Sequence, residues 1–190
     1  MTIAVTGGIG AGKSEALKAF ARHGAAVLSS DEIVHRLLRD DPEVREAVVA
    51  ELGPAALDGE GRIDRKAVGR LVFGNPERVA WLERLLHPRV AEAQLTWRRE
   101  QAALTTPPRA CVIEIPLLYE VGAEGRFDAV VVVTAPAHVR AERTPLATDD
   151  RAARLLPDEE KVARADFAFV NDGSVDELDA FVADVLDRVA

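Results

Sequence analysis

The sequence predicts an α/β fold with a doubly wound, parallel five-stranded sheet, and three observations support this. A short apolar strand at residues 2–6 leads through a glycine-rich turn into an amphipathic helix at 13–22. Later runs are apolar at consecutive positions, as in parallel strands covered on both faces. Predicted helices separate these runs, and alternating strands and helices are typical of this fold class.

The remaining elements follow along the chain. Strands two to five are predicted at residues 25–28, 110–115, 129–133 and 167–170. Residues 32–104 are predicted to form a mostly helical excursion between strands two and three. Its first helix ends near Asp40, and further helices are predicted at 43–52, at 64–73 and from 75 to about 104. His87-Pro88 is expected to interrupt the last of these. Later helices are predicted at 136–143, 151–164 and 174–189, and Ser30 or Asp31, Asp64 and Ser174 are predicted N-caps.

Composition limits the classes of function. The chain has 190 residues, 48% of them hydrophobic, which is enough for one globular unit with a full core. A net charge of −8 argues against broad attraction to nucleic acid. The single cysteine, Cys111, excludes an internal disulfide framework, and the four histidines show no metal-ligand spacing.

With no apolar run of membrane-spanning length and no signal segment before the first strand, we expect a cytoplasmic protein with no membrane partner. The sequence does not fix the oligomeric state, and a monomer is compatible with it.

The glycine-rich turn carries the pattern Gly7-x4-Gly12-Lys13-Ser14, which is typical of phosphate-cradling loops. Glycines let the backbone approach phosphate oxygens, and the following helix adds its positive end. Lys13 would reach the β- and γ-phosphates of a nucleotide, and the Ser14 hydroxyl would hold Mg²⁺. A chance glycine-rich turn is the alternative, but the strand before and the helix after favour the nucleotide site. The predicted nucleotide-contacting residues are Gly8, Gly10, Ala11, Gly12, Lys13, Ser14 and Glu15.

Ligands of such folds bind at the carboxyl ends of the strands, and this rule selects further candidates. Asp31 follows strand two, where it could accept or orient a proton of an attacking hydroxyl, or could simply cap a helix. Glu114 ends strand three, where it could hold Mg²⁺ through water or pair with a basic neighbour. Arg140, Arg143, Arg151 and Arg154 could close over phosphates, although composition alone favours a solvated helix surface.

Further motifs occur in a fixed order. They are Val27-Leu28-Ser29-Ser30-Asp31, Asp64-Arg65, His87-Pro88, Pro116-Leu117-Leu118-Tyr119-Glu120 and Asn171-Asp172-Gly173. Together with Thr6-Gly7-Gly8-Ile9-Gly10-Ala11-Gly12-Lys13-Ser14, they resemble the dephospho-coenzyme A kinase family nearly end to end. The glycine-rich loop is shared by many kinases, whereas the later motifs are much more specific.

The resemblance implies a P-loop kinase fold, with a core at 1–31 and 105–190, a helical substrate-binding insertion at 32–104 and a short lid at 140–157. It implies ATP as co-substrate, Mg²⁺ as cofactor, and transfer of a phosphoryl group to the ribose 3′-hydroxyl of dephospho-CoA. Asp31 would then act as base or hydroxyl-orienting group, Arg140 as a lid contact to phosphate, and Asn171 as a neighbour of the adenine. The substrate side would be formed by Asp31, Arg65, His87, Pro116, Leu117 and Glu120.

The chain departs from the family pattern at three positions. Glu15 stands where a threonine commonly follows the loop serine, Ser29 replaces the first acid of an Asp-x-Asp segment, and Leu155 replaces a lid glutamine. The segment between Arg140 and Arg151 is also a few residues short, so the second lid arginine is not identified. Two alternatives therefore remain open: another P-loop small-molecule kinase, or a catalytically impaired nucleotide-binding relative.

Overall fold

The protein contains a five-stranded sheet in which every neighbouring pair of strands is parallel, as the sequence predicts. The computed structural model describes residues 1–144 and 155–189. The strand order is β2-β3-β1-β4-β5. The strands are β1 (Thr2–Thr6), β2 (Ala26–Ser29), β3 (Cys111–Glu114), β4 (Ala129–Thr134) and β5 (Phe167–Val170).

Eight α-helices lie in the described parts of the chain. They are α1 (Lys13–Arg22), α2 (Ser30–Asp40), α3 (Pro42–Leu52), α4 (Arg65–Val72), α5 (Pro76–Ala102), α6 (Ala137–Arg143), α7 (Asp158–Ala163) and α8 (Val175–Val189). Side-chain caps fix several starts. Asp64 accepts from the N–H of Lys66, and the Ser174 hydroxyl accepts from the N–H of Glu177, as predicted for these two residues.

The consecutive apolar residues of the strands are explained by two cores on opposite faces of the sheet. Val5 and Val131 belong to a core with α1 and α8, whereas Ala4 and Val130 belong to a second core with Leu118. Because successive strand residues point to opposite faces, both parities must be apolar when both faces are covered. β1 and β4 are thereby held at the centre of the fold, and the loops that follow them start from a rigid base.

The chain divides into two compact units, Met1–Ser30 with Trp97–Ala190, and Asp31–Thr96. The first contains the sheet. The second has its own apolar core, which includes Val44, Val48 and Val72. The sequence predicts boundaries at 31/32 and 104/105, whereas these compact units divide at 30/31 and 96/97, with the end of α5 in the unit that contains the sheet. There Arg98 donates to the backbone oxygen of Arg126 at 3.3 Å.

The prediction that His87-Pro88 interrupts the long helix is wrong, since α5 runs through Pro88 without a break. A proline inside a helix removes one N–H donor and disturbs the preceding turn. Arg89 Nη1 donates to the backbone oxygen of Leu85 at 3.0 Å, so a side chain supplies a hydrogen bond in that turn. Packing also supports the helix in this turn, because Leu86 is buried in the core of the second unit.

The segment around the predicted lid is only partly described. Arg151, Arg154 and most of the shortened segment after Arg143 lie outside the described residues. Within the described part of the predicted helix at 151–164, residues 155–157 are not helical, and α7 begins at Asp158. Pro157 has an extended backbone, with ψ 144°, and stands directly before the helix. Within the described residues, no helix is both long and apolar enough to cross a membrane.

Candidate active site

Glycines shape the loop between β1 and α1. Gly12 has φ +98°, in the left-handed region, and stands directly before α1. A Cβ atom at Gly7 would overlap the backbone oxygen of Val133, and one at Gly12 would overlap the side-chain amide of Asn171. Glycine tolerates both the backbone angle and the close approach. The loop therefore passes tightly against β4 and the end of β5 and enters α1, whose first turn favours a bound anion.

The polar residues at the start of α1 lie as a phosphate site requires. Lys13 Nζ donates to the backbone oxygen of Gly8 at 3.0 Å, so its ammonium group lies over the glycine-rich loop. Ser14 is exposed in the first turn of the helix. Glu15 pairs instead with Lys18 along the helix, at 3.1 Å. Its carboxylate is thus partly neutralised by helix cations.

Two arginines of α6 lie against the same loop. Arg140 Nη1 occupies the place where a side chain at Gly8 would stand, and the Arg140 backbone oxygen is 3.1 Å from the Cβ position of Gly10. Arg143 Nη1 lies 3.5 Å from the Cβ position of Gly12. Together with Lys13, these groups concentrate positive charge at the loop, as binding of a polyphosphate needs.

Asp158, which was not among the predicted site residues, also lies beside Arg140 and the glycine-rich loop. Asp158 Oδ2 lies 3.0 Å from Arg140 Nη1, and Asp158 Oδ1 is 3.3 Å from the Cβ position of Gly8. Asp158 begins α7 within a run of charged residues, Asp158-Glu159-Glu160-Lys161, which is typical of a solvated helix surface. The proline before this run marks a helix start, but nothing in the sequence connects the aspartate with Arg140.

Asn171 directly follows the edge strand β5. Its side chain is 6% exposed, and Nδ2 donates to the backbone oxygen of Ala11 at 2.9 Å. The residue predicted to lie near the adenine is therefore fixed against the glycine-rich loop.

An open cavity of about 560 Å³ lies beside Arg140. It is lined by the ends of β4 and β5 and by α6 and α7, among them Thr134, Ala137, Asp158 and Val170.

Polar groups meet where β2 and β3 end. Glu114 is 7% exposed, and its Oε2 accepts from the Ser29 hydroxyl at 3.1 Å. The Ser30 hydroxyl donates to the Glu114 backbone oxygen at 2.6 Å, so Ser30 does not cap α2 as predicted but begins it. Ser29, where the family pattern has an acid, thus serves as a neutral hydrogen-bond donor to a buried carboxylate.

The loop after β3 is anchored at several points. The Thr6 hydroxyl donates to the Pro116 backbone oxygen at 3.4 Å, and Leu118 and Tyr119 are buried beneath the sheet. Leu117 is half-buried.

Glu120, which was predicted to contact substrate, has its Oε1 2.8 Å from Lys161 Nζ. This lysine is fully buried, and the sequence analysis missed it because it belongs to the same charged run.

The second unit holds the other predicted substrate residues. Asp31 is exposed in the first turn of α2, so it is part of the helix rather than its cap. His35 stands one turn later and is hydrogen-bonded through Nε2 to Arg65 Nη2. Burial, followed by the charge of Arg65, lowers the pKa of His35. His87 lies exposed on α5.

Comparison with known proteins settles the family. The family model described as dephospho-CoA kinase matches residues 1–177. The chain belongs to the dephospho-CoA kinase family. A dephospho-CoA kinase of Brucella melitensis is 37% identical over 98% of this chain and 94% of its own length. One of Mesorhizobium japonicum is 38% identical over 100% of this chain and 96% of the relative.

Solved structures agree with this assignment. A Thermus thermophilus protein has a TM-score of 0.77 and 34% identity, covering 100% of this chain and 98% of its own. The dephospho-CoA kinase of Campylobacter jejuni has a TM-score of 0.67 and 26% identity, covering 100% and 97%. A shikimate kinase of Aquifex aeolicus, 16% identical with a TM-score of 0.55, shares the fold. The P-loop kinase fold is therefore confirmed, and this member of the dephospho-CoA kinase family is an ATP-dependent kinase.

Proposed function

We propose that this chain transfers the γ-phosphoryl group of ATP to the ribose 3′-hydroxyl of dephospho-CoA, giving coenzyme A. The observation that supports this most is the family match over residues 1–177, because it includes both the complete phosphate loop and the later acceptor-side motifs. Its relatives at 37–38% identity carry the same name.

On the nucleotide side, the chain's own groups bind and neutralise the triphosphate. Lys13 releases the Gly8 backbone oxygen and contacts the β- and γ-phosphates, while loop N–H groups cradle them. Arg140, already at Gly8, stabilises charge on the transferring phosphoryl group. Asn171 holds the loop against the end of β5 and contacts the adenine side.

Mg²⁺ fits the donor groups near the loop. Ser14 offers an exposed hydroxyl in the first turn of α1. Glu114 offers a carboxylate at the end of β3, and β3 pairs with β1, the strand that leads into the phosphate loop. Oxygen ligands of this kind are the ones that Mg²⁺ prefers. Ser14 would bind the ion directly and Glu114 through water; when bound, Mg²⁺ neutralises charge on the β- and γ-phosphates.

On the acceptor side, Asp31 accepts or orients the proton of the attacking 3′-hydroxyl. Its exposure in the first turn of α2 leaves the carboxylate accessible to a substrate. Arg65, His87, Pro116 and Leu117 are assigned to the surroundings of dephospho-CoA. Monomeric state and a cytoplasmic location remain predictions of the sequence.

The test is a product assay. Purified protein is incubated with Mg²⁺, ATP and dephospho-CoA, and the product is identified by mass as 3′-phosphorylated coenzyme A. Lys13→Ala serves as the inactive control, because it removes the phosphate clamp. Arg39→Ala serves as the active control, because Arg39 is exposed near the end of α2 and pairs with Asp40. Transfer to another small-molecule acceptor would favour a different P-loop kinase. If the chain binds ATP but transfers no phosphoryl group while an active control enzyme does, the result would favour a catalytically impaired nucleotide-binding protein.

A further inference from the structure

A buried ion pair joins the loop after β3 to α7. The Lys161 side chain is 0% exposed, the Glu120 side chain is 12% exposed, and Lys161 Nζ lies 2.8 Å from Glu120 Oε1. Removing two charges from water is expensive, and the Nζ–Oε1 contact is a charge pair without a well-directed hydrogen bond, so each group depends on the other for charge neutralisation. The pair therefore fixes the position of α7 relative to the loop at Tyr119 and Glu120.

The Glu120 carboxylate holds the chain on both sides of Asp158. The same Oε1 atom accepts a hydrogen bond from the backbone N–H of Leu156 at 2.9 Å. Leu156 lies two residues before Asp158, and Lys161 lies three residues after it. One oxygen atom thus anchors both ends of the short turn that presents Asp158.

Asp158 in turn holds Arg140 at the phosphate loop. Its Oδ2 lies 3.0 Å from Arg140 Nη1, the atom that occupies the side-chain position of Gly8. A shift of the Leu156–Asp158 turn by about 1 Å would lengthen this contact beyond hydrogen-bond distance, so the position of the turn controls the contact between Asp158 and Arg140.

We propose that Glu120 is a positioning residue for the nucleotide: with its charge balanced by Lys161, it holds the turn that presents Asp158, and Asp158 orients Arg140 toward the phosphates of ATP. The proposal rests on the proposed function in taking ATP as the ligand of the loop. It changes the expected role of Glu120. Its Oε1 is engaged by Lys161 and Leu156, so its effect reaches the nucleotide through Asp158 rather than through contact with dephospho-CoA.

Two double variants separate positioning from simple stabilisation. Both Glu120→Gln/Lys161→Met and Glu120→Met/Lys161→Met remove the two charges together, which buried pairs commonly tolerate. Only the first keeps a side-chain oxygen that can accept from the Leu156 N–H. We expect the first to bind ATP within about twofold of the unmodified protein, and the second to bind about fivefold more weakly, as loss of one hydrogen bond implies.

The measurement is the Kd for ATP with Mg²⁺ by titration calorimetry, with the melting temperature recorded for each variant. This readout needs no acceptor, so a failure of the proposed reaction does not affect it. In an active enzyme, the KM for dephospho-CoA should stay within about twofold in both doubles. Equal ATP affinities in the two double variants would overturn the proposal.

A second arm uses Asp158 itself. Asp158→Ala should weaken ATP binding by about fivefold, and adding the methionine pair to it should weaken binding no further, because both act through the same contact. If the methionine pair weakens ATP binding as much in the Asp158→Ala background as in the unmodified protein, the ion pair acts independently of Asp158 and its role is purely structural. If the methionine pair does not fold, unchanged ATP binding by Asp158→Ala alone overturns the proposal.

Discussion

Asn171 Nδ2 donates to the backbone oxygen of Ala11 at 2.9 Å, joining two residues that lie 160 positions apart in the chain. Both are buried, so the bond is shielded from competing water. It ties the turn after the edge strand to the glycine-rich loop, and therefore couples the adenine side of the proposed site to the phosphate side.

Replacing this asparagine should weaken ATP binding. Asn171→Ala removes the donor, and we expect a loss of about 1 kcal/mol in the free energy of unfolding and a rise of about fivefold in the KM for ATP. Asn75→Ala is the matched control, since Asn75 accepts from the N–H groups of Glu77 and Arg78 at the start of α5. The control should lose similar stability with an unchanged KM for ATP. A parallel rise in both variants would show that instability alone is responsible.

Two glycines with similar backbone angles should respond differently to alanine. Gly12 has φ +98° and Gly24 has φ +83°, so either substitution strains the backbone by about 1 kcal/mol. A Cβ atom at Gly12 would also overlap the Asn171 amide, whereas nothing lies within 4 Å of one at Gly24. Gly12→Ala should therefore abolish detectable ATP binding, and Gly24→Ala should lower only the melting temperature. Retained ATP affinity in Gly12→Ala would mean that the loop can shift away from Asn171.

The sheet was predictable because its signals are local and repeated. Val130, Val131 and Val132 are apolar at consecutive positions, which only a strand covered on both faces requires. The phosphate loop was likewise visible, since the positive backbone angle of Gly12 demands a residue type that the sequence shows directly.

What the sequence could not show depends on contacts between distant residues. Pro88 carries a strong helix-breaking signal, yet α5 runs through it, with Leu86 of the preceding turn buried in the core of the second unit. Lys161 lies in a run of charges typical of a solvated surface, yet it is fully buried beside Glu120, which belongs to the loop after β3. No local pattern distinguishes a buried lysine from an exposed one when its partner is 41 positions away.

Asp31 should affect the chemical step more than nucleotide binding. A group that accepts or orients a proton in the transition state typically contributes a hundredfold or more to rate, so we expect Asp31→Asn to lower kcat by about two orders of magnitude. The KM for ATP should change little. Asp40→Asn, an exposed substitution at the end of the same helix, is the control and should keep kcat. An unchanged kcat in Asp31→Asn would return the residue to a structural role in α2.

Glu15 should weaken ATP binding relative to threonine at the same position. Its carboxylate pairs with Lys18 at 3.1 Å and lies 3.6 Å from Arg22, so it brings negative charge to the first turn of α1. Glu15→Thr removes that charge and adds a hydroxyl, and we expect the KM for ATP to fall by about threefold to tenfold. Glu15→Gln separates the two effects, because it removes the charge without adding the hydroxyl. A higher KM in Glu15→Thr would mean that the carboxylate supports the loop through its helix partners.

His35 gives the acceptor side a dependence on pH. Arginine can only donate, so the Nε2 atom bonded to Arg65 must accept, which requires that Nε2 carry no proton while the contact is formed. Burial and the Arg65 charge lower its pKa, and these exceed the opposite effect of Asp31 and Glu32. As pH falls below the ordinary histidine value of about 6.5, the unfolded chain takes up a proton that the folded protein resists. Stability should therefore be retained above that pH and decrease below it.

His35→Gln tests this directly, because a glutamine oxygen can accept from Arg65 and does not titrate. Between pH 7.5 and about pH 5.5, the melting temperature of the unmodified protein should fall relative to that of His35→Gln. The KM for dephospho-CoA should rise by a few-fold in the unmodified protein alone, since protonation of His35 displaces Arg65. Comparing the two proteins at each pH cancels the titration of ATP itself. Parallel pH profiles for melting and for KM would show that the His35–Arg65 contact does not control the acceptor side.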